Sequence, residues 1–230
     1  MLFSFAEIVH MKKQNALILL LSLLSSFSFA QEKFQGAITF KTDVTGEGAE
    51  MAKSFLPDSY EYLVGKNALV FKMNGGLAQS MTGDILLSGK TGETHMVKHS
   101  EKTVYKLKPD KNQPAPVKKV EATDETLSIL GYECKKYKVT MEAGGQSATQ
   151  YVWATERFKI AFSFKGNQDA GGILIPGISG MPLKIMSTVM GYTIVMTASE
   201  ISQKKLPKST FILPKGYEVK EFEGISSFGF

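Results

Sequence analysis

Two histidines, His95 and His99, stand four residues apart, with Glu93 and Glu101 at the same parity. On a strand all four side chains leave one face, as a surface metal site would require. The spacing argues against such a site. Four residues of strand separate the two imidazoles by roughly 13 Å, too far for one ion to be held by both. A helix would close the gap, but Gly89, Gly92 and Thr94 oppose a helix there. Zinc also needs three or four convergent ligands, so no metal is expected. Cys134 is the sole cysteine, which excludes an intrachain disulfide. A lone thiol of this kind is expected to be buried and inert, because free cysteine is among the most buried residue types. No acid–base partner for it is recognisable, and no Gly-x-Ser-x-Gly element is present. The glycine-rich stretches 74–76 and 171–180 lack the Gly-Lys-Ser/Thr ending of a phosphate loop. The expectation is a non-enzymatic protein with no catalytic residue and no cofactor.

Methionine is the other suggestive residue type. Of the 11 in the chain, Met181, Met186, Met190 and Met196 lie close together. They do not follow a Met-x-x-Met copper spacing. An unbranched thioether fills irregular gaps in a core, and the same plasticity suits a cavity that accepts varied apolar ligands.

The elements that carry these residues read as strands. Phe34, Gly36, Ile38 and Phe40 alternate with Gln35, Thr39 and Lys41; Tyr60, Tyr62 and Val64 share one face, as do Leu69, Phe71 and Met73. Period-two alternation bounded by turn residues marks half-buried strands. Gly65-Lys66-Asn67 is hairpin chemistry. Further strands are expected around 85–87, 93–99, 103–107, 126–130, 132–142, 146–155, 182–189, 191–201 and 217–222. Residues 51–56 read as a helical turn or a loop. Residues 158–164 alternate like a strand but stand where a lid could lie. The proline-rich segment 108–117 is an exposed loop, since proline cannot donate to a ladder. The fold class is therefore mainly β, with about ten or more antiparallel strands in one domain over residues 31–230. A sheet that large must curl or close to manage its edges.

Residues 1–30 carry an export pattern. Lys12 and Lys13 precede an apolar run, Ala16–Leu24, and Ser28-Phe29-Ala30 places small residues at the −3 and −1 positions. Cleavage is expected before Gln31, with residues 1–10 an extension from an upstream start. The apolar run is far short of the roughly 20 residues needed to span a bilayer. No cysteine follows directly, so a lipoprotein anchor is not expected. Removing residues 1–30 takes away Glu7, Lys12 and Lys13 and lowers the formal charge from +5 to +4. That mild balance gives no footing for nucleic acid. The mature chain is expected in the periplasm or outside the cell, not spanning a membrane.

Residues 121–137, Glu-Ala-Thr-Asp-Glu-Thr-Leu-Ser-Ile-Leu-Gly-Tyr-Glu-Cys-Lys-Lys-Tyr, resemble the central motif of a family of exported bacterial proteins, the domain-of-unknown-function family numbered 4412. Val152-Trp153-Ala154-Thr155, Phe211-Ile-Leu-Pro-Lys-Gly-Tyr217 and Phe34-Gln-Gly-Ala-Ile-Thr-Phe40 also resemble that family's pattern. The family is similar in architecture to periplasmic lipoprotein carriers of the LolA type. The resemblance implies a strongly curved antiparallel half-barrel with a few short helices or loops on its concave face, and an apolar cavity for a lipid-like ligand. Strand parity offers Ile38, Phe40, Phe71, Met73, Trp153, Ile185, Ile194 and Met196 as candidate lining. The alternative is an envelope interaction protein whose concave face is filled by its own side chains. In the motif, Gly131 is expected to permit a bend or bulge between two strand pieces.

Overall fold

A computed structural model describes residues 32–107, 117–143, 146–160, 175–189 and 191–222. The expected signal segment, the proline-rich loop, Met190 and most of the glycine-rich loop lie outside the described residues. The strands are β1 (Glu32–Phe34), β2 (Gly36–Gly46), β3 (Ser59–Val64), β4 (Ala68–Asn74), β5 (Asp84–Ser88), β6 (Thr94–Lys98), β7 (Thr103–Leu107), β8 (Val117–Ile129), β9 (Tyr132–Ala143), β10 (Gln146–Thr155), β11 (Phe158–Ile160), β12 (Met181–Val189), β13 (Tyr192–Ser202) and β14 (Glu218–Phe222). Two seven-residue helices, α1 (Ala49–Phe55) and α2 (Gly76–Thr82), follow β2 and β4, and a 3-10 turn spans Lys208–Phe211.

The chain is mainly β, built on one large sheet that does not close. Its order is β14-β7-β6-β5-β4-β3-β2-β13-β12-β10-β9-β8, with β1 and β11 forming a separate two-stranded sheet. Where chain-adjacent strands pair, they pair antiparallel, as short turns dictate. Two pairings depart from the expected antiparallel pattern. β14 runs parallel to β7, and β1 runs parallel to β11. Both join segments far apart in sequence, a relation that alternation cannot reveal.

The first half, β2 to β7, is apolar on one face throughout and, around β3 to β5, on part of the other. One cross-strand row runs Ile38–Tyr62–Phe71–Ile85–Met96–Tyr105. It belongs to the main core together with Phe40, Tyr60 and Met73. The row one residue out of phase, Ala37–Leu63–Val70–Leu86–His95, faces the other way. A second, smaller core forms there as Leu206, Phe211 and Leu213 cover Leu63, Val70 and Leu86. Gly65 makes this cover close. A Cβ built at Gly65 would stand 2.9 Å from the Phe211 ring. Runs such as Leu69-Val70-Phe71 and Ile85-Leu86-Leu87 are what a strand buried on both faces requires.

The second half, β8 to β10 with β12 and β13, has a more polar outer face, and its alternation is interrupted by register shifts in β8, β10 and β13. β8 and β9 meet through Leu130-Gly131, with Ile129 opposite Tyr132. Both turn residues have positive φ, 52° and 82°, as a two-residue type I′ hairpin demands. Gly131 therefore serves a tight turn rather than the bend or bulge expected. The irregularity lies in β8 instead, where the register shifts between Ala122 and Thr126. Residues 158–160 are strand, and the rest of the suspected lid, 161–164, lies outside the described residues.

Candidate functional site

The expected lining residues separate into three groups. Ile38, Phe40, Phe71 and Met73 belong to the first half, and none is more than 3% exposed. Their surroundings are aromatic: Phe40 meets Tyr62 edge-on at 5.3 Å, and Phe71 lies 4.8 Å from Tyr62 and 5.4 Å from Tyr60 between ring centroids. Burial pushes the phenols of both tyrosines well above their usual range. Interlocked rings at these distances pack a core directly.

Ile185, Ile194 and Met196 share the core face of the second half. One row runs Tyr137–Val152–Ile185–Met196–Thr42, and the next Val139–Gln150–Ser187–Ile194–Val44. This face mixes its apolar surface with a few polar groups. Gln150 Nε2 donates to Ser187 Oγ at 2.9 Å. The Thr42 hydroxyl beside Met196 is buried and has no hydrogen-bond partner among the described residues. Ile194, Met141, Val117 and Val120 are only partly covered. Ile175 and Ile178, on the described end of the glycine-rich loop, pack over this face, and Val120 is the nearest neighbour of Gly177.

Trp153 does not join them. The register sets it opposite Lys136 and Lys184, one residue out of phase with Val152. By register it leaves the sheet on the face opposite to Ile185 and Met196, yet it stays buried and belongs to the same hydrophobic cluster. The Lys184 and Lys136 ammoniums lie 4.9 Å and 5.4 Å from its ring centroid. The lysine stems roof the indole, which leaves it 8% exposed. Lys136 also stands 4.8 Å from the Tyr151 ring and pairs with Glu125 at 2.8 Å. Tyr151 and Trp153 share this face, as strand parity requires.

The two histidines diverge, as the strand spacing demanded. His95 is buried on the outer face of β6, and its Nδ1 has no partner among the described residues. Burial, reinforced by Lys106 and opposed by Glu93, holds its pKa below the usual histidine range. His99 lies in the turn after β6. Its Nε2 stands 3.2 Å from Asp84 Oδ2, and its Nδ1 3.1 Å from the Tyr217 hydroxyl. This trio clasps the start of β14 to β5. It is exposed on the surface, with Lys72 3.9 Å from the same carboxylate oxygen. Among the described residues no group of three or more acidic, histidine or cysteine side chains could hold a metal. Cys134 is fully buried, and burial pushes its thiol up to about 12. Its Sγ donates to the Tyr132 carbonyl at 3.5 Å.

One feature of the surface had no clear sequence signal. α1 and α2 lie against each other and expose Met51, Phe55, Leu77 and Met81 while burying only Ala52 and Ala78. Seven residues flanked by glycines are too short to announce a helix by periodicity. Among the described residues no helix is long and apolar enough to cross a membrane.

Comparison with known proteins gives a family and little else. No curated protein matches the chain. Among solved structures, one of PNGF-II superposes with a TM-score of 0.47 at 18% identity, covering 82% of this chain and 32% of that one. The chain thus spans about a third of the PNGF-II chain. LprF from Mycobacterium bovis gives a TM-score of 0.32 at 10% identity, covering 74% and 89% of the two chains. The family model described as "Domain of unknown function (DUF4412)" matches residues 34–217. Phe34, the Gly-Tyr-x-Cys turn, Trp153 and the segment ending at Tyr217 all fall inside that match, and the chain belongs to this family.

Proposed function

We propose that this is a non-enzymatic, exported envelope protein that binds a hydrophobic or lipid-like ligand against the core face of its second half. In this reading the open sheet curves as a half-barrel with that face inward. The observation that carries it is the composition of the face. Ile194 and Met141 supply partly covered apolar surface beside the buried Ile185, Met196 and Val139, while Thr42 offers a buried hydroxyl with no partner among the described residues. An apolar site with a few placed polar groups is the usual form of a small-molecule site. The unmatched hydroxyl suits a ligand with one polar group on an apolar body. Leaving it unmet costs about 1–3 kcal/mol.

A second reading is an envelope interaction protein with a filled core. The close packing of Ile38, Phe40, Phe71 and Met73 favours it for the first half. Native extraction from the periplasm followed by lipid mass spectrometry separates the two. Recovery of one class of acyl or other apolar molecule supports carriage. A protein that emerges ligand-free and binds no lipid probe sinks it. Cell fractionation tests export separately: mature protein beginning at Gln31 should appear outside the cytoplasm.

A further inference from the structure

The two short helices are built the wrong way round for a soluble surface. Each is amphipathic by position, yet the residue turned inward is alanine and those turned outward are large. Met51 is 78% exposed, Phe55 47%, Leu77 59% and Met81 61%. Each pair stands four residues apart, so each helix carries one apolar ridge, and the helices adjoin.

The polar groups around these ridges are already spent. Ser54 Oγ donates to the Met51 carbonyl at 2.7 Å, and Ser80 Oγ donates to the Leu77 carbonyl at 2.8 Å. Gln79 Oε1 accepts from the Gly75 N–H at 2.9 Å. Lys53 is paired with Glu50 at 2.9 Å, and α2 contains no charged residue at all. A protein partner is normally met with about one hydrogen bond per 100–200 Å² of interface. This surface has turned its donors and acceptors onto its own backbone. Area points the same way. The four side chains expose roughly 450 Å² together, the size of patch that marks an interaction site. Two copies pairing through it would bury under about 1,000 Å², short of a specific, stable protein interface.

We propose that α1 and α2 form a shallow membrane-contact surface, inserting Met51, Phe55, Leu77 and Met81 among the acyl chains of a bilayer. Short helices lying in the interface bind through buried apolar area, with electrostatics adding only where basic residues are present. Here no unpaired basic residue stands on either helix, so the contact is one with lipid chains rather than with anionic headgroups. This goes beyond ligand binding and does not require it.

The test is flotation of the purified protein with phosphatidylcholine vesicles, with and without phosphatidylglycerol. The wild type should co-float with both, and 0.5 M salt should change the bound fraction less than about twofold. Met51→Ser/Leu77→Ser/Met81→Ser should lower partitioning at least tenfold, with Trp153 emission and the denaturation midpoint unchanged. Should the triple variant unfold, Met51→Ser alone, at the most exposed site, should still lower partitioning several-fold. Wild type that stays off vesicles, variants that bind as wild type does, or binding abolished by salt would each overturn the proposal. So would concentration-dependent dimerisation lost in the variant, which would assign the ridges to a second copy. Vesicle binding by protein that yields no ligand in mass spectrometry would leave this inference standing and remove the carrier reading.

Discussion

The first half of the sheet is buried on both faces, and the second half on one. In the first, Tyr62 and Phe71 pack inward while Leu63 and Val70 pack outward under Phe211 and Leu213. In the second, Val152 packs inward while Trp153 on the other face is buried under the stems of Lys136 and Lys184. The difference assigns the halves different work. A strand buried on both faces gains twice the packing and has no side free to meet anything. A strand with a lysine-covered outer face can leave its core face less completely filled.

The largest effect that would break this comparison is in the first core. Phe71→Ala should destabilise by about 3–5 kcal/mol, read as a shift in the urea midpoint. A loss below 1 kcal/mol would mean the first half is not the tightly packed region described. Next comes the outer cover. Phe211→Ala should cost about 2 kcal/mol, and Gly65→Ala should cost less but act in the same direction, because the ring must yield to a Cβ 2.9 Å away. The two effects should not add, since each disturbs one contact.

His95 gives a pH signature confined to the first half. Its folded pKa is depressed by burial, so the unfolded chain takes up a proton more readily than the folded one. Stability is therefore complete above the ordinary histidine range, near 6.5, and falls as pH drops below it. His95→Gln should flatten the loss between about pH 7 and 5 in thermal melts. An unchanged slope would show that His95 is not the group responsible.

Smaller still are the effects on the second half. Trp153 is the single tryptophan, so its emission reports the outer face there. Lys184→Met should alter that emission while changing stability by no more than about 0.5 kcal/mol. Cys134 should resist thiol reagents in native protein and react on unfolding, since burial keeps it protonated. Rapid native labelling would show that the β8–β9 hairpin opens readily.

The strands were legible in the sequence, but their division into doubly and singly buried halves was not. Alternation located most strands, and Gly65-Lys66-Asn67 sits between β3 and β4 as hairpin chemistry predicts. The unbroken runs Leu69-Val70-Phe71 and Ile85-Leu86-Leu87 fit burial on both faces, but a run of three reads equally as a half-buried strand with one exposed apolar residue. Parity alone pairs Trp153 with Tyr151 without naming which face lines the core. At Leu130-Gly131 the turn was obscured by a leucine in a left-handed conformation that usually goes to asparagine or glycine. The partly covered face with Ile194 and Thr42 depends on which strands meet across the sheet. That is settled by the β2–β13 pairing, which joins residues 146 to 165 positions apart in sequence, and no local pattern contains it.

The placement of β14 has a bearing on how the molecule is made. β14 lines the free edge of β7, and the segment just before it, carrying Leu206, Phe211 and Leu213, roofs the outer face of β3 to β5. Contacts between such distant segments form late, because a long loop must close first. A chain synthesised from its N-terminus thus reads its first half early and completes it last. Until residue 222 has emerged, Leu63, Val70 and Leu86 wait uncovered beside an open strand edge. The earliest part of the protein is the part that most needs shelter from its neighbours during synthesis.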